Sequence, residues 1–333
     1  MPKTKKNKKR PPKKGKLKKR RFRFKKLLLL CLLIFLIIHY RTKLSAIILD
    51  SIPGQFSSEH TQINHTSTKT KAQNAQTKSF VKISPQGATL YAQADDTSTQ
   101  LGTVNVGEIV TFLDQVGDYY HITTNNQTTG YVSKNEATLF NQTIHDKPAS
   151  LSQAVIVLNP GHGGDDVGAM SNNEAYYEKD VTLSTAKAVK KTLEAAGATV
   201  IMTRDTDQTE SLDSITEKAM ANQADAFISF HFDSTDYANS ASGVTTYYYY
   251  NTYEDLAESI NQQLSSLLPL ENRGIEYGDF EVIRETTQPS LLLELGYMNN
   301  DSDLQTFLTS SYQNKVAKAV VTGLENYFSS NNQ

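Results

Sequence analysis

The apolar positions of this chain change pattern several times, and the changes divide it before any chemistry is considered. Residues 27–38 form an unbroken apolar run, extended by His39 and Tyr40 before Arg41. Residues 50–79 are Ser, Thr, Gln, Asn and Lys with almost no large apolar side chain, the composition of a linker that builds no core. Between 80 and 140, short runs of period two separated by Gly, Asp and Asn predict a small all-β module. After a second linker, 141–153, apolar blocks of strand length alternate with helix-period segments. Residues 154–158, 225–231 and 290–295 read as buried strands, and a further strand starts at Gly243 and leads into four tyrosines, Tyr247 to Tyr250. Residues 184–196, 212–223, 254–267 and 301–328 read as helices. The alternation predicts an α/β domain over 154–330, a mainly parallel sheet with helices on both faces.

Charge separates the ends of the chain. Of 34 Lys and Arg, 16 fall in residues 1–26, which hold no Asp or Glu; the remainder carries 18 against 35 acids, a charge of −17. A basic tail ahead of an apolar run keeps the N-terminus in the cytoplasm and exports the rest of the chain. The apolar run rises only about 21 Å against a hydrocarbon core of about 30 Å, a length that also suits a signal segment. No Ala-x-Ala site comes after it, so residues 27–49 are read as a transmembrane helix anchoring the chain in the cell membrane. The rival is cleavage and secretion to the wall. The tail faces anionic lipid of the cytoplasmic membrane, and the acidic exported part excludes nucleic acid as partner. Cys31 is the single cysteine, so no disulfide forms within the chain.

Of seven histidines only His162 and His231 lie beyond residue 150, and each ends a predicted strand. Ligands of open α/β sheets sit beyond the carboxyl ends of strands. Glu178 opens a helix-like segment, and Glu294 stands inside an apolar run where an unpaired carboxylate is expensive. Two histidines, a glutamate and a second glutamate are the donor set of a catalytic zinc site: three ligands, an open position and a carboxylate base. Spacing alone does not decide it. A strand-end histidine is also an ordinary surface residue, and a first-turn glutamate also serves a helix dipole.

The segments Pro160-Gly-His-Gly-Gly164, Glu178-Lys-Asp-Val-Thr-Leu183, Thr203-Arg-Asp-Thr-Asp207, Asn272-Arg-Gly274 and Pro289 to Asn300 run in the order found in zinc-dependent N-acetylmuramoyl-L-alanine amidases, which residues 155–300 resemble. That resemblance implies one zinc ion per catalytic domain, held by His162, Glu178 and His231, with Glu294 as catalytic base. It implies peptidoglycan as substrate, cut between N-acetylmuramic acid and L-alanine of the stem peptide. Asp166, Asp233 and Arg273 match polar positions near the metal or substrate. Asn159, Ile215 and Tyr297 depart from the commoner Asp, Arg and Phe. Gly107-Glu-Ile-Val110, Tyr119-Tyr-His-Ile122 and Gly130-Tyr-Val132 resemble a bacterial SH3 domain, with Tyr119, Tyr120 and Tyr131 as candidates for wall binding and a plain spacer as the rival. Two further readings stand beside the amidase: a non-catalytic or regulated wall-binding protein, and a zinc peptidase cutting within the stem. Only some 60 residues separate His231 from Glu294, too few for a long occluding insertion, so no obligate protein partner is expected.

Overall fold

The structure, a computed structural model, describes residues 75–330. The basic tail, the apolar segment 27–49 and residues 50–74 lie outside them, and with them the expected membrane anchor. Among the described residues no helix is long and apolar enough to cross a membrane.

Seven antiparallel strands come first: β1 (Ala75–Ile83), β2 (Ala88–Tyr91), β3 (Gln100–Val104), β4 (Ile109–Val116), β5 (Tyr119–Thr123), β6 (Thr129–Ser133) and β7 (Ala137–His145). They form one sheet in the order β3-β2-β6-β5-β4-β1-β7. Alternate residues supply its core: Val81, Ile83, Leu90, Val104, Val110, Ile122 and Val132, with Phe112 and Tyr120 packed against it. The β1–β7 ladder pairs Ala75 with His145, so both strands reach into stretches that read as linkers. Gln76, Thr77 and Lys78 are exposed. Backbone hydrogen bonds rather than an apolar face hold that end, and hydrophobic alternation does not report it.

The second sheet contains β8 (Val155–Pro160), β9 (Thr199–Met202), β10 (Ala226–Asp233), β11 (Val244–Tyr248), β12 (Asn272–Tyr277) and β13 (Ser290–Tyr297), in the order β12-β11-β13-β10-β8-β9. Every neighbouring pair is parallel except β11–β13. The sheet is therefore mixed but mostly parallel. Its helices are α1 (Glu178–Ala195), α2 (Leu212–Ala221), α3 (Glu254–Leu267), α4 (Glu281–Arg284), α5 (Asp301–Phe307) and α6 (Ser310–Ser329). Strand residues alternate between two cores. Ile156, Leu158, Ile228, Phe230, Leu291 and Leu293 pack with Val189 and Leu193 of α1, Ile260 of α3 and Val320 of α6. Val157, Phe227 and Leu292 pack with Ile215 of α2 and Ile283 of α4. Burial on both faces is why these strands read as continuous apolar runs, and each such side chain contributes roughly 1.5–3 kcal/mol.

Three features of these elements have local causes. Helix α1 begins at Glu178, where the sequence opens a helix-like segment, and its first turns bury Thr182 and Thr185. The single helix over 301–328 is two. Thr309 caps α6 by accepting from the Tyr312 amide, while Leu304, Phe307, Tyr312 and Val316 carry the buried stripe across the break. Of the tyrosine run, Tyr249 and Tyr250 are buried. The Tyr250 hydroxyl accepts from the Ile109 amide at 3.0 Å and donates to the Arg284 carbonyl at 2.6 Å. Asn105 Nδ2 donates to the Tyr249 hydroxyl at 2.9 Å. These two rings seat the β module on the α2–α4 side of the sheet, so they are not free to stack on sugars.

Candidate metal centre and active site

Strands β8 and β10 are parallel neighbours, so His162, just after β8, and His231, near the end of β10, meet at the carboxyl end of the sheet. The β10–β13 register then sets His231 directly opposite Glu294. His162 has φ of 62°, a left-handed backbone rare outside glycine, and Gly163 and Gly164 continue the positive-φ turn. Two glycines admit the rings. A Cβ on Gly161 would lie 2.2 Å from His231 Cε1, and one on Gly168 would lie 2.6 Å from both Glu178 Oε2 and His162 Cδ2.

The first residue of α1 completes the cluster. Glu178 Oε2 lies 3.0 Å from His162 Nε2, and Oε1 lies 3.0 Å from His231 Nδ1. Each oxygen also accepts a backbone amide, from Ala169 at 2.8 Å and from Phe232 at 3.0 Å. The far nitrogen of His162, Nδ1, meets Asp166 Oδ2 at 2.8 Å, which directs Nε2 inward. One ligand atom from each of His162, Glu178 and His231 lies within 4.8 Å of the others. Ligands at 2.0–2.1 Å from a tetrahedral zinc stand about 3.3 Å apart, so these contacts are close to the separation required. Two imidazoles and a carboxylate are also the donor chemistry zinc takes in open, hydrolytic sites. The set fits Zn2+.

Electrostatics follow from this packing. Burial alone would lower the His162 pKa, but the hydrogen bond and charge of Glu178, then those of Asp166, raise it to about 9 in the metal-free site. Glu178 moves the other way: burial opposes its ionisation, and the two histidines outweigh burial and hold it well below the usual carboxylate range. Glu294 is half-buried, and its Oε2, shielded from solvent, has no hydrogen-bond partner among the described residues. Burial first, then the charges of Glu178 and Asp233, push its carboxyl well above the ordinary range. A carboxyl with a shielded, unpartnered oxygen beside three converging donors has the chemistry to take up and return a proton.

The remaining residues singled out from sequence separate. Asp166 meets His162. Asp233 does not meet a histidine ring among the described contacts; it accepts from the Ser234 amide at 2.7 Å and lies against Tyr297. The β10–β13 pairing shifts register between His231 and Asp233, which sets Asp233 beside Tyr297. Arg273 sits on β12 with its guanidinium 5.8 Å from the Tyr297 ring. Asn159 is buried and donates to Ser229 Oγ at 2.8 Å while accepting from Thr203 Oγ1 at 2.7 Å. On the β module, Tyr119 and Tyr131 share an outer face, whereas Tyr120 turns inward against Phe112. Two neighbours unforeseen from sequence complete that face: His121 stacks on Tyr131 at 4.5 Å, and Tyr91 meets Tyr119 edge-on at 6.2 Å. Strand pairing across β2, β6 and β5 brings these rings together, and no single segment contains the pattern. Arg204 is a further site residue that sequence reasoning missed, although its motif was visible; it lies buried beneath the His162 loop.

Comparison with known proteins agrees with this geometry. The N-acetylmuramoyl-L-alanine amidase family profile matches residues 156–326, and the bacterial SH3 domain profile matches residues 86–137. A probable cell wall amidase LytH of Staphylococcus epidermidis is 42% identical over 181 residues, covering 54% of this chain and 60% of that protein. The chain thus spans less than two thirds of that relative's length. A LytH of Staphylococcus saprophyticus is 39% identical over 210 residues, covering 62% of this chain and 70% of that protein. Among solved structures, an N-acetylmuramoyl-L-alanine amidase from Clostridium difficile superposes with a TM-score of 0.52 at 30% identity, covering 54% of this chain and 98% of that one. The catalytic domain of CwlV from Bacillus (Paenibacillus) polymyxa gives 0.51 at 33% identity, covering 52% and 97%.

Proposed function

The chain belongs to the N-acetylmuramoyl-L-alanine amidase family, and from that premise we propose that it hydrolyses the amide bond joining the lactyl group of N-acetylmuramic acid to L-alanine in peptidoglycan. One observation carries the reading: His162, Glu178 and His231 converge on one point beside the carboxyl of Glu294, whose Oε2 has no partner among the described residues. Held by the first three, zinc supplies a Lewis acid and an acidified water. Glu178 brings charge and is kept ionised by its two amide donors and two imidazoles. Asp166 holds His162 in the tautomer that presents Nε2.

Glu294 moves the proton. Its carboxylate accepts a proton from the attacking water as the new bond forms to the lactyl carbonyl carbon. The same group returns that proton to the amide nitrogen as the C–N bond breaks, giving a lactyl carboxylic acid and the free amine of L-alanine. An amide nitrogen leaves poorly unless protonated, so the raised pKa of this carboxyl suits both halves of the task. Arg273 and Tyr297 flank the site on the β12–β13 side and are the nearest candidates for gripping an acidic stem peptide.

The outer face formed by Tyr91, Tyr119, His121 and Tyr131 is the surface through which the SH3 module would hold wall material. Upstream, residues 27–49 would anchor the protein in the cell membrane with residues 1–26 cytoplasmic, and 50–74 would span to the wall. The uninterrupted sequence between His231 and Glu294 supports a site that works without an activating partner.

The test is mass spectrometry of purified peptidoglycan after digestion by the purified protein, with and without a zinc chelator. Chelator-sensitive release of intact stem peptides beginning at L-alanine is the expected result. Peptides cut internally would instead indicate a stem peptidase, and unchanged muropeptides despite bound zinc a wall-binding protein.

A further inference from the structure

Arg204 is 2% exposed and heads the largest fully buried side chains among the described residues. A guanidinium stays charged at any ordinary pH, so burying one requires that its donors be matched. Here every hydrogen bond it makes among the described residues goes to a carbonyl or a hydroxyl, and none to a carboxylate. Nε donates to the Pro160 carbonyl at 3.1 Å, and Nη1 to the Thr206 carbonyl at 3.0 Å. Nη2 reaches the Gly161 carbonyl at 2.9 Å, the Lys179 carbonyl at 2.8 Å and Thr182 Oγ1 at 3.2 Å. Thr182 Oγ1 in turn donates to the Gly161 carbonyl at 2.8 Å.

Those acceptors are not scattered. Pro160 and Gly161 are the two residues before His162. Lys179 and Thr182 belong to the first turns of α1, directly after Glu178. One planar cation therefore ties together the backbones that carry two of the three metal ligands. It also braces the costly part of the loop. A non-glycine residue at φ of 62° persists only where its surroundings over-determine it, and the carbonyls immediately before His162 are the ones Arg204 holds.

We propose that Arg204 is a positioning residue for the metal centre, fixing the left-handed turn at His162 against the start of α1 so that the ligand set is assembled before metal arrives. Lysine cannot replace it: one ammonium lacks the fork that spans both segments. Thr182 works in the same clamp, as the hydroxyl through which Gly161 reaches the helix. The inference rests on the three-ligand reading above and adds the group that organises it.

The experiment is a zinc titration of the full-length protein against a chromophoric chelator, with thermal unfolding of the metal-stripped protein measured in parallel. Arg204→Lys should weaken zinc binding at least tenfold. Thr182→Val, which keeps the side-chain shape and removes one hydroxyl, should weaken it at least threefold and provides the answer if Arg204→Lys does not fold. Val189→Ala, a core change on α1 remote from the clamp, should lower the unfolding temperature while zinc affinity stays within twofold. Wild-type affinity in both Arg204→Lys and Thr182→Val overturns the inference, as does a Val189→Ala protein that loses zinc in proportion to stability. Absence of zinc binding in the unsubstituted protein would remove the ligand reading and this inference together, so the two failures are distinguishable.

Discussion

Replacing Glu294 by glutamine isolates the group on which the proposed chemistry depends, and the structure sets both the direction and the scale of the result. The residue is half-buried, one carboxyl oxygen is shielded and unpartnered among the described residues, and Glu178 and Asp233 add like charge. All of this favours the protonated form in the fold. The unfolded chain releases that proton near the ordinary value of 4.5. With the folded pKa raised, stability is full at low pH and declines as pH rises above the unfolded value, for as long as the folded carboxyl stays protonated. The slope is about 1.4 kcal/mol per pH unit. Glutamine keeps the shape and does not ionise. In metal-stripped protein, Glu294→Gln should therefore gain on wild type by up to about 1.4 kcal/mol per pH unit as pH rises above the ordinary carboxylate value. Urea unfolding at several pH values reads it directly. With zinc restored, the same variant should bind metal normally yet lose 10²- to 10⁴-fold in kcat, roughly the contribution of a positioned acid–base group. A stability difference that does not change with pH would show that the carboxyl is already ionised in the fold. Native turnover in the variant would end its role as proton carrier.

Other consequences are open to measurement. Asp166→Asn removes the acceptor that fixes the His162 tautomer and should weaken zinc binding by about 10- to 100-fold in a chelator competition, without unfolding the protein. His162 must lose its proton before Nε2 can bind metal, and in the metal-free site that proton is held up to about pH 9. Apparent zinc affinity should therefore rise by up to about tenfold per pH unit between the ordinary histidine value and pH 9; a flat profile would refute the strong Glu178–His162 pairing. The same shift means that this pair's contribution to metal-free stability is full below the ordinary histidine value of 6.5 and is lost as pH rises through about 9. Tyr250→Phe strands the Ile109 amide and the Arg284 carbonyl, both bound to its hydroxyl. It should cost about 2 kcal/mol in urea unfolding and speed proteolysis between the β module and the α/β domain.

Burial and its interruptions were legible in the sequence. Apolar runs too long to be one-faced announced strands covered on both sides, and His162, His231 and Glu294 were conspicuous because each broke or ended such a run. The order of motifs then pointed to a family, and with it to Glu178, which alone is an ordinary first-turn glutamate. Periodicity reports that a residue is buried, not what it is buried against. Only the tertiary structure paired His231 with Glu294 across two parallel strands, set Asp233 beside Tyr297 through a register shift, and ran β11 and β12 together against the direction of the other four strands. It alone turned Tyr249 and Tyr250 toward the β module, and brought Tyr91 and His121 beside Tyr119 and Tyr131. Arg204 shows the limit most clearly. A lone arginine in a polar turn has every appearance of a surface residue, and its burial is possible only because four backbone carbonyls and one hydroxyl, from segments up to 44 residues away, converge on a single guanidinium. Hydrogen-bond acceptors on the main chain carry no sequence signature, so that convergence exists only once the chain has folded.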